Sequence, residues 1–306
     1  MSDVAWAVVY GLVAAACWGV ADYLARTLSQ GLGAFRAQLW SQLVGMVALG
    51  IAVAIVVVVD GHADGSATVD ALRAASVRTW LFTGAYALIS SVGILCFFVA
   101  FGSGPLAVVA PIVGAYGAVT VALAVLDGAA ITAWTMAALA TVMAGVMLAS
   151  VPARGDARPT GQLRGVLAAV AAAFLFGTAF FIMGRDVVPE LGALVPTFLA
   201  RLTGPVLLVG LAALSPRRSG PIGPPPRSLW GTVLLSGLLS SVAVVATGLG
   251  SRGGQSAIAA VTGSMSVVVT VIIAMVLLRE RLGRHQWAGA VLAMVGVLAL
   301  GAAKQS

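Results

Sequence analysis

Charge is what this sequence has least of. Only 9% of its 306 residues are Asp, Glu, Lys or Arg, against about 25% in a soluble domain, and none falls between Thr79 and Leu126. That uncharged run holds two bilayer-spanning helices at roughly 20 residues each, parted at Gly102-Ser103-Gly104-Pro105. Cysteine is scarce as well. Cys17 and Cys96 both lie inside apolar runs, which excludes a disulfide framework and a Cys/His metal cluster and leaves two small packing groups. The two histidines, His62 and His285, sit in or beside loops, so no Ser–His pair and no pair of axial haem ligands is present. A P-loop Lys-Ser/Thr and an Asp-rich diphosphate motif are missing too. These absences speak against an enzyme, against ATP-driven work within the chain, and against any cofactor or metal.

Lysine is nearly absent, Lys304 being the only one, and the net charge of +7 comes from arginines placed singly or in small groups between apolar runs. No basic stripe interleaves with aromatics, which excludes nucleic acid as a partner. The first apolar run follows Met-Ser-Asp and ends without an Ala-x-Ala site, so it reads as a retained helix rather than a cleaved signal.

What is present is hydrophobic length. The chain is 60% hydrophobic, and ten apolar runs read as helices at 4–24, 37–59, 79–101, 106–126, 130–150, 165–183, 194–214, 228–248, 257–278 and 286–303. Only helices suit runs this long, because lipid offers no partner to an unpaired backbone group. The runs form two sets of five: residues 1–151, a polar linker at 152–163, and residues 164–303. Five is odd, so the second set enters the bilayer from the opposite side. The expected fold is an all-α integral membrane protein, ten transmembrane helices arranged as two inverted five-helix repeats. The polar loops at 60–78, 152–163 and 215–227 are too short to form another domain.

The two halves match weakly but in consistent order. Trp18-Gly19 corresponds to Phe176-Gly177, Gln42 and Gly45 to Arg201 and Gly204, and Asp127 and Trp134 to Glu280 and Trp287. Arginine and lysine in loops after odd-numbered helices outnumber those on the other side, which places both termini outside the cell membrane.

These residues resemble the drug/metabolite transporter superfamily, in its ten-helix EamA-type branch. Trp18-Gly19, Arg201, Glu280-Arg281-Leu282 and Gln286-Trp287-Ala288-Gly289 carry the resemblance. The first half departs from it, with Asp127-Gly128 where Glu-Arg is usual and Gln42 where an arginine is common. The resemblance implies transport of a small molecule through a central cavity between the halves, with helices 5 and 10 peripheral. It also implies cytoplasmic termini, against the loop count.

Among residues that can carry chemistry, Asp22 is the one acid inside the first apolar run. A carboxylate in a membrane is costly, about 2.5–3.5 kcal/mol at mid-helix, and such a group is a candidate for cation or substrate binding. The competing reading is an i,i+4 ion pair with Arg26. Arg201, inside helix 7 with Pro205 one turn on, can grip a substrate carboxylate or phosphate as a fork, or snorkel and tie down carbonyls near a kink. Pro111 interrupts helix 4. Tyr116 and Thr120 follow it, and Ser264 and Thr270 stand at comparable depth in helix 9. Trp18, Tyr23, Gln42, Tyr86 and Thr178 complete the expected substrate pathway. The small-residue stripes Ala137, Thr141, Gly145 and Ala149 on helix 5, and Gly289 and Ala293 on helix 10, read as packing or homodimer faces.

The function expected is secondary transport, most naturally export, of a small neutral, amphipathic or zwitterionic metabolite or drug. The expected partners are that substrate, the lipid bilayer and a coupling proton or cation. The alternative is a membrane-embedded interaction or assembly protein that moves nothing. A wet chamber between the halves separates the two readings.

Overall fold

The computed structural model describes residues 3–62, 67–128, 133–150, 160–192, 194–214, 223–250, 263, 265–279 and 283–302, and its regular structure is all helical. The long apolar helices α1 (Asp3–Leu32) and α2 (Ala34–His62) are joined by Gly33 alone. Its φ of 79° is a left-handed conformation that glycine adopts without strain. A short helix, α3 (Ala67–Ala74), occupies part of the next loop. Helix α4 (Val77–Ser103) begins where the Ser76 hydroxyl accepts from the Thr79 amide at 3.1 Å, satisfying one of the amides a helix start leaves free. It ends at Gly104-Pro105, and α5 (Leu106–Gly114) and α6 (Tyr116–Leu126) follow. Helix α7 (Ala133–Ser150) closes the first half.

The second half opens with α8 (Thr160–Ile182), which runs through a π-helical turn at Met183–Val187 into α9 (Val188–Leu191). Gly192, at φ 64°, stops it. Then come α10 (Leu194–Leu214), α11 (Trp230–Gly250) after a 3₁₀ turn at Arg227–Leu229, α12 (Ser266–Val276) and α13 (Arg284–Ala302).

Six helical stretches among the described residues are long and apolar enough to cross a bilayer: Val8–Leu32, Ala34–Ile55, Val77–Ser103, Leu163–Leu191, Leu194–Leu214 and Arg227–Ala246. Val108–Thr120 and Ser266–Val276 are shorter apolar helices. Large apolar side chains such as Ile51, Ile55, Leu167 and Phe174 point outward, a surface that suits lipid and not water. The chain is therefore an all-helical, multi-pass membrane protein. Several helices outrun the expected spans. Helix α1 continues well past Leu24 because the length of an apolar run measures hydrocarbon thickness rather than helix length.

Packing follows two recurring arrangements. Helix α8 lies along α4 and against α6, while α1 lies along α11 and against α12. Helices α2 and α10 pack on each other; α2 also meets α11, and α10 also meets α4. Their closeness is set by small residues. Ala169 and Ala172 of α8 sit fully buried against Phe101, Leu106, Val109 and Ile112. Helices α7 and α13 pair chiefly with each other and reach the rest through α5 and α6. Their contact is backbone on backbone: Gly145 faces the Gly289 carbonyl and Ala293, and Gly296 faces the Ala138 carbonyl and Val142. Such contacts are the usual means of helix association in lipid, where burial of apolar surface drives nothing.

Candidate functional site

Helix 4 of the expected ten is interrupted within its length, and the start of α12 repeats the geometry of its restart. Pro111 is buried inside α5, and the break falls one turn later, at Ala115, with φ −68° and ψ −1°. Met265, ahead of α12, has φ −63° and ψ −7°. Each starts the following helix with a tight i→i+3 bond, Ala118 N to Ala115 O at 2.9 Å and Val268 N to Met265 O at 2.9 Å. A glycine of a crossing helix rests on each restart. A Cβ on Gly177 would stand 2.5 Å from Val119 and 2.7 Å from the Tyr116 carbonyl; one on Gly19 would stand 2.5 Å from Val269 and 3.2 Å from the Ser266 carbonyl.

The threonine one turn into each restarted helix ties it to the same crossing helix. Thr120 Oγ1 donates to the Gly177 carbonyl at 3.0 Å and shares its own Tyr116 carbonyl at 3.1 Å. Thr270 Oγ1 donates to Asp22 Oδ2 at 2.7 Å and shares the Ser266 carbonyl at 2.9 Å. Asp22 is half-buried and Thr270 fully buried. The i,i+4 ion pair with Arg26 does not form: Arg26 Nη1 reaches instead to the Gly104 carbonyl at 2.5 Å. Among the described residues the ion pairs are Arg78–Asp186 at 3.3 Å and Arg185–Asp127 at 2.5 Å, both at the far end of α8.

A second polar group lies where α2 and α10 meet. Arg201 Nη1 donates to Gln42 Oε1 at 2.8 Å. The use of Oε1 turns the Gln42 amide nitrogen away, and that nitrogen is buried without a hydrogen-bond partner. Leaving such a donor unmet costs about 1–3 kcal/mol. Tyr86 of α4 stands beside the Arg201 guanidinium and hydrogen-bonds Thr197 and Ser90. Gln42 is eight residues into α2 and Arg201 seven into α10. At about 1.5 Å per residue, each is ~10–12 Å from its own helix start, and the two starts lie at opposite ends of the bundle. The pair therefore sits near mid-depth.

The remaining pathway residues are dispersed between these groups. Tyr116 stacks on Phe180 with ring centroids 5.1 Å apart. Tyr23 packs against the Ala100–Phe101 core, and Trp18 against the Ala14, Ala243 and Ala246 contact. Thr178 Oγ1 returns to its own helix at the Phe174 carbonyl, 2.9 Å. Ser264 lies outside the described residues, as do Glu280-Arg281-Leu282.

Sequence reasoning passed over several buried polar residues. Gln38 is fully buried, with Nε2 donating to the Ser91 carbonyl at 2.9 Å. Ser91 and Ser241 each bond back one turn, to Ala87 and Gly237, and also reach across to Ala200 and Gly45. The signal was present: the doublets Ser90-Ser91 and Ser240-Ser241 follow Trp80 and Trp230 at one constant spacing.

A model of the EamA-like transporter family matches residues 163–302. No curated protein sequence matches the chain. Among solved structures, one crystal structure superposes with a TM-score of 0.62 at 18% identity, covering 96% of this chain and 95% of that one. A likeness at that identity concerns the fold alone.

Proposed function

We propose, from the match of residues 163–302 to the EamA-like transporter family, that the whole chain is a secondary transporter built of two inverted five-helix repeats. The observation that carries this reading is the matched helix start after Ala115 and after Met265, each pressed by a glycine and tied by a threonine to its crossing helix. Discontinuous helices placed equivalently in two halves are how many transporters build a site at mid-membrane. The exchanged packing supports it: α8 meets α4 and α6 as α1 meets α11 and α12.

In this reading the halves rock about the α2–α10 contact and expose the centre to each side in turn. Tyr86 is buried and Arg201 half-buried where α2, α4 and α10 meet. The substrate is a small neutral, amphipathic or zwitterionic metabolite or drug, carried outward across the cell membrane. Arg201 recognises it and Asp22 is the proton- or cation-coupling group, its carboxylate held by Thr270. Both termini face outside by the arginine count; the small-residue stripes of α7 and α13, expected as packing or homodimer faces, pack on each other.

The test is a metabolite-release screen on cells overproducing the protein, with three strains compared. Wild type releases at least one small metabolite above the vector control. Arg201→Ala abolishes that release, and Asp22→Asn leaves release that no longer depends on the proton or cation gradient. Release by none of the strains turns the reading toward an assembly protein; gradient-dependent release by Asp22→Asn removes the coupling role alone.

A further inference from the structure

A guanidinium inside a membrane bundle pairs with a carboxylate or with backbone carbonyls. Arg201 is not in an ion pair among the described residues, and its side-chain hydrogen bond goes to the neutral oxygen of Gln42. Gln42 is 1% exposed, and its amide nitrogen has no partner. Two unmet requirements, one for negative charge and one for an acceptor, therefore meet in one place.

The two helices close tightly on these donors. A Cβ on Gly204 would stand 2.8 Å from Gln42 Nε2, and a Cβ on Gly45 would stand 2.9 Å from Arg201 Nη1. Each donor thus faces a glycine on the opposite helix, in a reciprocal pairing of α2 with α10. Beside the guanidinium, Tyr86 joins Ala87, Ala179 and Ala200 in an apolar cluster bordered by Ile182 and Met183.

We propose that Arg201 and Gln42 form a two-donor receptor for the carboxylate of a small apolar organic acid, the guanidinium taking the charge and the Gln42 amide nitrogen supplying a further N–H. This rests on the transporter reading and deepens it by naming the substrate's chemical class. A carboxylate accepts through two coplanar oxygens, which suits the planar donor edge of arginine. Once the acid is bound, the centre carries no net charge, so the loaded protein moves past lipid without an uncompensated ion. The apolar cluster beside Tyr86 receives the acid's hydrocarbon part. Gln42 is then a specificity-determining residue, and its difference from the arginine at the matching position is what leaves one cation, not two, for one carboxylate.

The test uses the full chain in lipid nanodiscs with butyrate, butyramide and inorganic phosphate as probes, read by saturation-transfer NMR. Butyrate binds, and butyramide binds about tenfold or more weakly, as expected where a charge-assisted hydrogen bond is exchanged for a neutral one. Phosphate does not displace butyrate. Arg201→Gln and Gln42→Leu weaken butyrate, and Gly204→Ala does so while leaving every charge in place. Gly84→Ala, whose Cβ would meet nothing within 4 Å, leaves butyrate binding as it was, and thermal melting confirms that each variant is folded. Butyramide or phosphate equal to butyrate overturns the proposal, as does absence of butyrate binding or indifference to both Gln42→Leu and Gly204→Ala. Failure here beside continued metabolite release by wild-type cells sinks the carboxylate receptor and spares transport; butyrate binding without any release does the reverse.

Discussion

Thr270 shows how one hydroxyl decides the state of a residue far away in sequence. Its partner Asp22 is 248 positions distant, and the bond is the structure's answer to an acid placed inside an apolar helix. The sequence showed Asp22 and offered Arg26, one turn on, as its partner. It could not show that Arg26 turns to the Gly104 carbonyl, because i,i+4 spacing fixes proximity on one helix but not which neighbour on another helix competes. Thr270→Val keeps the side chain's volume and removes the donor. Hydrogen bonds to charged groups are worth about 1.5–3 kcal/mol, so the variant melts earlier by an amount in that range. In the Asp22→Asn background the same change costs less, and the difference read in a double-mutant cycle of melting temperatures isolates the pair.

Elements meet where side chains are smallest. The α7–α13 crossing brings Gly145 onto the Gly289 carbonyl and Ala293, and Gly296 onto the Ala138 carbonyl and Val142. Gly145, Val142 and Ala138 stand at one constant spacing from Gly296, Ala293 and Gly289, two residues shorter than the spacing of Trp134 and Trp287. The tryptophans mark the bilayer edge and carry little information on helix crossing, which is why sequence matching on them slips. Gly145→Ala places a Cβ into backbone atoms that cannot yield as a side chain would. Overpacking of this kind costs about 1–3 kcal/mol or more, and thermal melting of the purified variant shows the loss, while Gly210→Ala, with open space around it, melts like wild type. The break in helix 4 was legible because it carries Pro111. The helix start at Met265 was not, since no proline announces it and only packing against α1 marks it out.

At the scale of the whole molecule, Gly19 bears on the start of α12 and Gly177 on the start of α6. If the halves are inverted copies that rock as one machine, Gly19→Ala and Gly177→Ala impair it alike. Each adds a methyl group 2.5 Å from a valine of the restarted helix. Both variants are expected to lower metabolite release by similar factors and to melt earlier by about 1–3 kcal/mol; a large effect in one and none in the other would mean that the halves are not equivalent. The two ends of the bundle are fastened differently. Arg36 and Trp40 hold the Gly223-Pro224 segment at one end. At the other, Arg78–Asp186, Arg185–Asp127 and the Ser76 amide bond to Glu190 gather around the end of α8. Exposed pairs of this kind stabilise weakly.

The amino-acid order by itself determined the solvent and the helical, multi-pass character of the chain. Those follow from hydropathy and backbone satisfaction, both local along the chain. Trp18-Gly19, Phe176-Gly177, Gln42 and Arg201 were visible as matched positions for the same reason. Only the tertiary structure decided which polar groups satisfy one another: Asp22 with Thr270, Arg201 with Gln42, and Thr120 with the Gly177 carbonyl. In lipid an unpaired polar group has no water to fall back on, so its partner is whichever donor or acceptor the packing of other helices brings within reach.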